Sequence, residues 1–466
     1  MMWARRIKRL HFVGIGGAGM SGIAEILHAS QFAITGSDMS DSETIAHLRG
    51  IGISVHIGHD AKHVEGADVV VISSAVTAEN PEVIAAHEAG IPVIRRAEML
   101  GELMRLKSSI GIAGTHGKTT TTSMIGHIIM EAGLDPTVIV GGRLISHDAN
   151  AQFGQSEYLV AEADEYDHSF LCLHPTVAVA TNLEEDHLDC YRDLADLQDN
   201  FVEFFARVPF YGAVLTNADS PALSAIVDRI RRRHRTFGFS EEADTRADAL
   251  ELMPRRSSFD LWHDGKKLGR IEVNLPGRHN AENALAAAAV ALEIDIPFEA
   301  IRDGLKSFKG VGRRFEVIGQ ERGITVVDDY AHHPTEVDAV LRAARTWLDR
   351  KGRLIVAFQP HLYSRTRDFY KAFADALSEA DGLILAPIYP AREAPLPGVT
   401  SAMIKSAVSE RVCPIGCHLA EDLDDVVERA TAWAQPGDLV MTVGAGTIYR
   451  CAPAIVKRLS EVEVGS

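Results

Sequence analysis

An alternation constrains this chain most. Nine short apolar, β-rich runs, at 10–15, 67–73, 109–113, 176–181, 213–217, 324–328, 354–358, 382–386 and 438–443, are separated by stretches with helical patterning. Two strands can run parallel only if a long crossover, usually a helix, returns the chain to the same end of the sheet. The alternation therefore predicts α/β architecture, with largely parallel sheets covered by helices. At 466 residues the chain exceeds what one hydrophobic core holds, and three blocks suggest themselves. The first, 1–106, closes on an amphipathic helix over 97–106. The second, 107–310, opens on the strand that enters Gly114, and its least regular stretch, 241–275, reads as extra strands with Asp264-Gly265 as a hairpin turn. The third, 311–466, begins after Lys309-Gly310-Val311-Gly312, a glycine-rich hinge candidate.

Composition narrows the partners. Forty-seven Lys+Arg against 64 Asp+Glu leave a net charge of -17, without the broad positive field that phosphate-backbone binding needs, so nucleic acid is excluded as a partner. No run of about 18 uncharged apolar residues exists to span a membrane. Arg5, Arg6, Lys8 and Arg9 ahead of an apolar stretch mimic a signal peptide, but that stretch is crowded with glycine and soon meets Glu25, so it reads as a first strand and helix. Five cysteines, few and odd in number, suit a reducing cytoplasm, with Cys413 and Cys417 as ordinary thiols. The run Arg231-Arg232-Arg233-His234-Arg235 reads as a solvated helix end. Oligomeric assembly is left open.

Two glycine loops carry the chemistry. Gly14-Ile15-Gly16-Gly17-Ala18-Gly19 follows a strand, opens a helix and precedes Asp38, which is the dinucleotide fingerprint. Its glycines let backbone amides at a helix N-terminus face a diphosphate while the acid reaches a ribose hydroxyl. NAD and a UDP-sugar present the same pyrophosphate, so the motif leaves the ligand open. The second loop, Gly114-Thr115-His116-Gly117-Lys118-Thr119-Thr120, again joins a strand to a helix and ends in Gly-Lys-Thr like a P-loop, although its upstream glycines depart from the general spacing. Amides would wrap phosphates, Lys118 would meet the β and γ charges, and Thr119 would offer a hydroxyl to Mg²⁺.

Acidic clusters follow two nearby strands: Glu162-Ala163-Asp164-Glu165-Tyr166-Asp167 and Glu184-Glu185-Asp186-His187-Leu188-Asp189. Hard carboxylate oxygens beside a phosphate loop are what Mg-nucleotide chemistry uses. Pro276-Gly277-Arg278-His279-Asn280-Ala281-Glu282-Asn283 opens an Ala-rich helix and sets Asn280 and Asn283 on one face, with Asn280 either an N-cap or a base-reading amide. In the third block, strand ends lead into Asp329-Tyr330-Ala331-His332-His333-Pro334, Gln359-Pro360-His361, the segment 387–397 and Gly444-Ala445-Gly446. Parallel sheets bind ligands at that edge.

Together these segments resemble the Mur ligases of bacterial peptidoglycan synthesis, over essentially the whole chain. The resemblance is carried by 14–20 with Ser21, by Ser73-Ser74-Ala75, by Gly114-Thr115-His116-Gly117-Lys118-Thr119-Thr120, by Glu162-Ala163-Asp164-Glu165 and by Asp186-His187-Leu188-Asp189. Gly277-Arg278-His279-Asn280 with Asn283, Arg314-Phe315-Glu316 and the segment 328–336 complete it. It implies three domains: a Rossmann-like one for the UDP moiety, a central P-loop-type ATPase domain, and a Rossmann-like C-terminal ligase domain. It further implies ATP and Mg²⁺ as cofactors. Gly16, Gly17, Ala18, Gly19, Met20, Ser21, Asp38, Ser73 and Ser74 become contacts of the UDP-sugar. Gly114, Thr115, His116, Gly117, Lys118, Thr119 and Thr120 become the phosphate loop, with Thr119, Glu162 and His187 as Mg²⁺ ligands. Asn280, Asn283 and Asp329 fall at ATP positions, Arg314 at the γ-phosphate, His332 at the incoming amine, and His361 and Arg365 at substrate and amino-acid contacts. Leu362 stands where some relatives carry a basic residue.

From Thr119 through Gly265 there is no lysine, whereas several sister enzymes hold their second metal with a carbamoylated lysine. The resemblance therefore points to the branch that joins L-alanine to the lactyl carboxylate of UDP-N-acetylmuramate in the cytoplasm. Competing readings are a sister ligase that attaches a preformed tripeptide to the same sugar, an NAD-dependent dehydrogenase using the first loop, and a nucleotide-controlled UDP-sugar sensor.

Overall fold

The structure is a computed structural model that describes residues 7–73, 75–140, 151–152, 154–185, 190–348, 352–391, 393–408 and 413–461. Contacts divide it into two compact units. The first comprises Met1–Asp248, Leu261–Gly269 and Asn283–Leu305; the second comprises Ala249–Asp260, Arg270–Glu282 and Lys306–Ser466.

The first unit opens with β1 (Arg9–Val13), α1 (Ala18–Ala29), β2 (Ala33–Asp38), α2 (Glu43–Gly50), β3 (Ser54–Ile57), β4 (Val69–Ile72), α3 (Pro81–Glu88), β5 (Val93–Arg95) and α4 (Arg96–Met104). The strands form a parallel sheet in the order β3-β2-β1-β4-β5. After β3 the chain crosses from one side of β1 to the other, so the end of β1 is the switch point at which such sheets bind ligands. The register puts Val13 beside both Ser37 and Ile72, so Gly14, Asp38 and Ser73 leave the sheet at one edge.

A second sheet follows, from β6 (Ser108–Ala113), α5 (Lys118–Glu131), β7 (Thr137–Ile139), β8 (Ala151–Gln152), β9 (Tyr158–Glu162), β10 (Val177–Ala180), α6 (Leu194–Ala206), β11 (Ala213–Asn217), the short α7 (Pro221–Ser224) and β12 (Arg233–Gly238). Its order, β12-β11-β10-β6-β9-β7-β8, makes β6 central, and strand order continues past β12 with β13 (Thr245–Met253), β14 (Arg256–His263) and β15 (Lys266–Val273). The irregular stretch is thus strands, as expected. Asp264 and Gly265 turn β14 into β15 with φ of 48° and 73°, the left-handed pair that a two-residue hairpin requires. The arginine run is corrected: it lies on entry to and within β12, not at a helix end. Arg232 donates through Nη2 to the Ala206 carbonyl (2.9 Å), and Arg235 pairs with Asp244 and Asp264. β12 lies inside the sheet, between β11 and β13, and Arg232 and Arg235 find partners on neighbouring segments.

Aromatic packing seals this unit. Phe201 and Phe204 of α6 meet Phe170 with centroids 5.3 and 5.1 Å away, and Phe205 packs against both of them at 6.1 and 6.0 Å. Each is fully buried, a contribution of about 1.5–3 kcal/mol per side chain before entropy is counted. α4 crosses the backbone at Cys172 so closely that a Cβ on Gly101 would strike the Cys172 carbonyl.

The chain then runs through α8 (Arg278–Glu293) and α9 (Phe298–Ser307), of which Asn283–Leu305 belongs to the first unit, and from Lys306 onward the second unit holds a six-stranded sheet and its helices. The elements are β16 (Glu316–Glu321), β17 (Ile324–Asp329), α10 (Pro334–Trp347), β18 (Leu354–Phe358), α11 (Tyr363–Ala376), β19 (Gly382–Leu385), α12 (Ala402–Ala407), β20 (Gly416–Leu419), α13 (Leu423–Trp433), β21 (Leu439–Val443) and α14 (Cys451–Glu461). The order is β16-β17-β21-β18-β19-β20, parallel except for β16 against β17. Asp329, Val443 and Phe358 end neighbouring strands in register, which brings three of the unusual loops to one edge. No described helix is long and apolar enough to cross a membrane.

Candidate functional site

At the first sheet edge the glycine loop is built on β2. Gly14 and Ile15 donate their amides to the Ser37 carbonyl (2.8 and 3.0 Å), and Gly16 donates to the Asp38 carboxylate (2.9 Å). A Cβ at Gly14, where φ is 79°, would lie 3.0 Å from Ser73 Oγ, so the expected Gly14, Asp38 and Ser73 do come together. Gly17 precedes α1, which Ala18 opens, and Ser21 is buried in its first turn. Met20 is buried in the core, so its side chain serves packing. The sequence reading missed Arg96: its guanidinium lies against the loop, 3.0 Å from where a Gly19 Cβ would sit. Ser74, Asp186, His187, Leu188 and Asp189 lie outside the described residues.

The second loop leaves β6 between β9 and β10. It is braced by the chain that follows β10: Asn182 accepts from the His116 amide (2.8 Å) and donates to the His116 carbonyl (3.1 Å). Thr181 Oγ1 donates to that carbonyl as well (2.6 Å), and the Glu184 amide donates to Thr115 Oγ1 (3.0 Å). His116 Nε2 is 3.4 Å from the Glu184 carboxylate. Gly117, at φ 82°, immediately precedes α5, and a Cβ there would strike Asn283 Oδ1; Asn283 in turn accepts from Thr121 Oγ1 (3.3 Å). Asn283 therefore stands against the second glycine loop. Thr119 and Thr120 are in the first turn of α5, and Glu162 ends β9, where its neighbour across the sheet is Ile112 of β6.

Lys118 folds back over the loop. Its Nζ donates to the Gly114 carbonyl (2.6 Å) and to both oxygens of the buried Glu165 (2.9 and 2.8 Å). Burial alone would lower the Lys118 pKa; the Glu165 carboxylate, with Asp164 and Glu162, more than offsets that and raises it above the ordinary lysine value. Tyr191 donates its hydroxyl to the Glu165 carbonyl (2.5 Å). Glu165 stood within an acidic cluster in the sequence, without a role of its own. Thr119 and Glu162 offer a hydroxyl and a carboxylate, the hard-oxygen donor set that suits Mg²⁺.

The second unit carries the other expected residues. Asp328 pairs with Arg313 Nε (3.0 Å) and accepts from Thr442 Oγ1 (2.5 Å). Asp329 accepts from the amides of Phe315 and Ala331 (both 2.7 Å), and burial pushes its carboxyl up to about 6 against the pull of Arg314 and those amides. The guanidiniums of Arg313 and Arg314 lie 4.8 and 5.1 Å from the Tyr330 ring centroid. Arg314 reaches Glu336 at 4.0 Å, and Glu336 also meets His332 Nδ1 at 3.3 Å while closing the capping box of α10. His332 meets His361 edge to face at 5.8 Å, and His361 stacks on Tyr389. Arg365 is buried in the first turn of α11. Asn280 lies inside α8 and donates to the Pro276 carbonyl (2.7 Å), which removes the N-cap alternative. Cys413 is a buried free thiol pushed up to about 11 by desolvation, an unreactive one as expected.

His279 yields a pH prediction. Desolvation, helped by the Arg314 guanidinium and opposed by Glu336, lowers its pKa from 6.5 to about 4. The unfolded chain then binds the extra proton between pH 6.5 and 4, so stability is present above that window and falls as the pH drops through it. Urea unfolding at pH 5 and pH 7.5 is expected to show a decline about 1–2 kcal/mol smaller in His279→Gln than in the natural chain. Equal declines would place the proton elsewhere.

A phosphate-type loop on a central α/β sheet, a diphosphate-type loop on a second sheet and a basic, histidine-rich edge on a third define the class. The chain belongs to the Mur ligase family: residues 9–108 match the Mur ligase family catalytic domain, 112–291 the Mur ligase middle domain and 313–446 the Mur ligase glutamate ligase domain. It is 48% identical, over 97% of its length and 98% of the relative's, to the UDP-N-acetylmuramate--L-alanine ligase of Geobacter sp. strain M21. Among solved structures it resembles the UDP-N-acetylmuramate-alanine ligase MurC of Thermotoga maritima, with TM-score 0.80, 27% identity and coverage of 98% of this chain and 100% of that one. A murein peptide ligase from Psychrobacter arcticus shares the fold at TM-score 0.69 and 24% identity, over 98% of this chain and 100% of that one.

Proposed function

We propose that the protein joins L-alanine to the lactyl carboxylate of UDP-N-acetylmuramate, converting ATP to ADP and phosphate, as a step of peptidoglycan synthesis. The observation that carries this reading is the full-length 48% identity to an L-alanine-adding ligase. The two glycine loops and the basic strand-end cluster supply the chemistry it needs.

Amide formation from a carboxylate and an amine is uphill in water, so the carboxylate must first be activated. Its oxygen attacks the γ-phosphorus of ATP, ADP departs, and an acyl phosphate results. The amine nitrogen of alanine, having given up a proton, then attacks the acyl carbon and phosphate leaves. Phosphoryl transfer asks the protein for position and positive charge more than for covalent help. Lys118 neutralises charge at the phosphates beside the amides of 114–117, and Arg314 supplies charge to the transferred group. Thr119 and Glu162 would hold Mg²⁺, which balances phosphate charge when bound. Asp329 and Asn283 would hold the nucleotide, and His332, oriented by Glu336, would receive the ammonium proton. His361 and Arg365 would meet the alanine and the substrate carboxylates. The same reading keeps the three-block division 1–106, 107–310 and 311–466 as functional segments. It also sets the reaction in the cytoplasm, to which five free thiols are suited.

The test is phosphate release from ATP with UDP-N-acetylmuramate, with and without L-alanine, with the product mass followed in parallel. Release requiring both substrates and Mg²⁺, with a product heavier by one alanyl residue, is expected. Turnover with L-alanyl-γ-D-glutamyl-diaminopimelate but not with alanine would move the assignment to the tripeptide ligase.

A further inference from the structure

Behind the first glycine loop lies a buried carboxylate ringed by histidines. Glu82, in the first turn of α3, is fully buried. Its Oε2 accepts from Ser37 Oγ (2.5 Å) and meets His59 Nδ1 (3.1 Å); its Oε1 meets His63 Nδ1 (2.6 Å), with His11 Nε2 3.7 Å away. His11 is anchored through Nδ1 on Thr35 Oγ1 (2.8 Å), and His56 stacks on His63 at 4.1 Å. Desolvation would raise the Glu82 pKa, but His11 close beside it and the hydrogen bonds from Ser37 and His63 overcome that and bring it down to about 2. An ionised carboxylate only accepts, so His59 and His63 must turn N–H groups towards it.

The cluster draws on β1, β2, the segment around β3 and α3, and it reaches Ser37 through the Glu82 carboxylate. Ser37 is also the residue whose carbonyl takes the Gly14 and Ile15 amides, while the next residue, Asp38, takes the Gly16 amide. Three successive amides of the loop are therefore tied to two residues, and the first of those is clamped through its hydroxyl by Glu82. A strand end that drifts by a fraction of an ångström would carry the whole loop with it.

We infer that Glu82, with Ser37, His59 and His63, is a positioning group for the UDP-sugar, fixing the end of β2 against which the diphosphate-binding loop is folded. This rests on the reading of that loop as the UDP-sugar site. In Glu82→Gln the amide NH₂ faces either the Ser37 and His59 donors or the His63 donor, so one side of the clamp opens; Ser37→Ala deletes the hydroxyl link alone.

Calorimetric titration of the full-length protein with UDP-N-acetylmuramate, and separately with ATP, tests the inference. Glu82→Gln is expected to weaken UDP-N-acetylmuramate about tenfold and Ser37→Ala about threefold, with ATP affinity and kcat at saturating sugar within twofold of the natural chain. A purely structural role would lower the melting temperature and leave that selectivity absent. Should Glu82→Gln fail to fold, Ser37→Ala decides. Gly16→Ala, whose Cβ would stand 2.9 Å from Asp38 Oδ2, is the control for the loop itself. If Gly16→Ala binds the sugar normally, the loop is not its site and both readings fall. If Gly16→Ala loses affinity while folded Glu82→Gln and Ser37→Ala bind normally, the positioning role alone is overturned.

Discussion

Lys118→Met is expected to lower kcat/KM about 10³-fold and to destabilise the fold as well, for two separable reasons. On the proposed mechanism the catalytic loss comes from removing a positive charge at the transferring phosphoryl group, where a single electrostatic donor is worth about 10²–10³ in rate. The structural loss follows from Glu165, 1% exposed, which gives both carboxylate oxygens to Lys118. Stranding a buried charge by removing its partner costs about 3–5 kcal/mol. The double variant Lys118→Met/Glu165→Gln removes the stranded charge, so its stability should return to near the natural value while its activity does not. Urea unfolding and phosphate release measured on all three chains resolve the two effects. A Lys118→Met enzyme with more than a tenth of natural turnover would remove Lys118 from the phosphate chemistry.

Legibility in the sequence followed the physics of each signal. Strands buried on both faces announce themselves as apolar runs, which is why β6, β10, β11, β17, β18 and β21 were readable nearly to the residue. β2 was not: Ala33-Ile34-Thr35-Gly36-Ser37-Asp38 is broken by glycine and polar residues because its far end supports a loop, and those residues spend their side chains on Glu82, His11 and Gly16. β12 was misread because a run of arginines looks like a solvated helix end when its hydrogen-bonding partners are distant in sequence. The glycine loops were legible because glycine adopts the positive-φ backbone of Gly14, Gly114 and Gly117 without the strain that a side chain brings there. Glu165, Asn182 and Arg96 were not assigned, since each acts by a contact to a segment far along the chain; Glu336 was not assigned although its partners His332 and His333 are local. Glu165 and Asn182 were within reach of a closer look, one inside a noted acidic cluster and the other one residue beyond the end of a noted strand.

The adjacent arginines should part company under mutation, and this sets the second large effect. Arg314→Ala is expected to lose about 10³-fold in kcat with little change in melting temperature, whereas Arg313→Ala should lower the melting temperature by several degrees. Arg313 is tied into the fold: it pairs with Asp328, whose side chain is 2% exposed, donates to the Gly444 carbonyl (2.6 Å) and stacks near Tyr330 and Tyr449. Arg314 has a ring contact with Tyr330 and a 4.0 Å approach to Glu336, and it stands between two non-glycine residues at positive φ, Arg313 at 60° and Phe315 at 50°. Such backbone costs about 1–3 kcal/mol per residue and persists only where its surroundings over-determine it. Here they do: the Arg313 amide donates to Glu316 (2.7 Å) and the Phe315 amide to the buried Asp329. These contacts fix the backbone on both sides of Arg314, and the proposed mechanism asks its guanidinium to stabilise a transferring phosphoryl charge, for which one arginine is worth about 10³–10⁵. Arg314→Lys should recover less than a tenth of the lost rate, because an ammonium lacks the planar fork that engages two oxygens at once. Steady-state kinetics and thermal unfolding of the three variants decide the matter, and a destabilised Arg314→Ala beside an inactive but stable Arg313→Ala would exchange the two assignments.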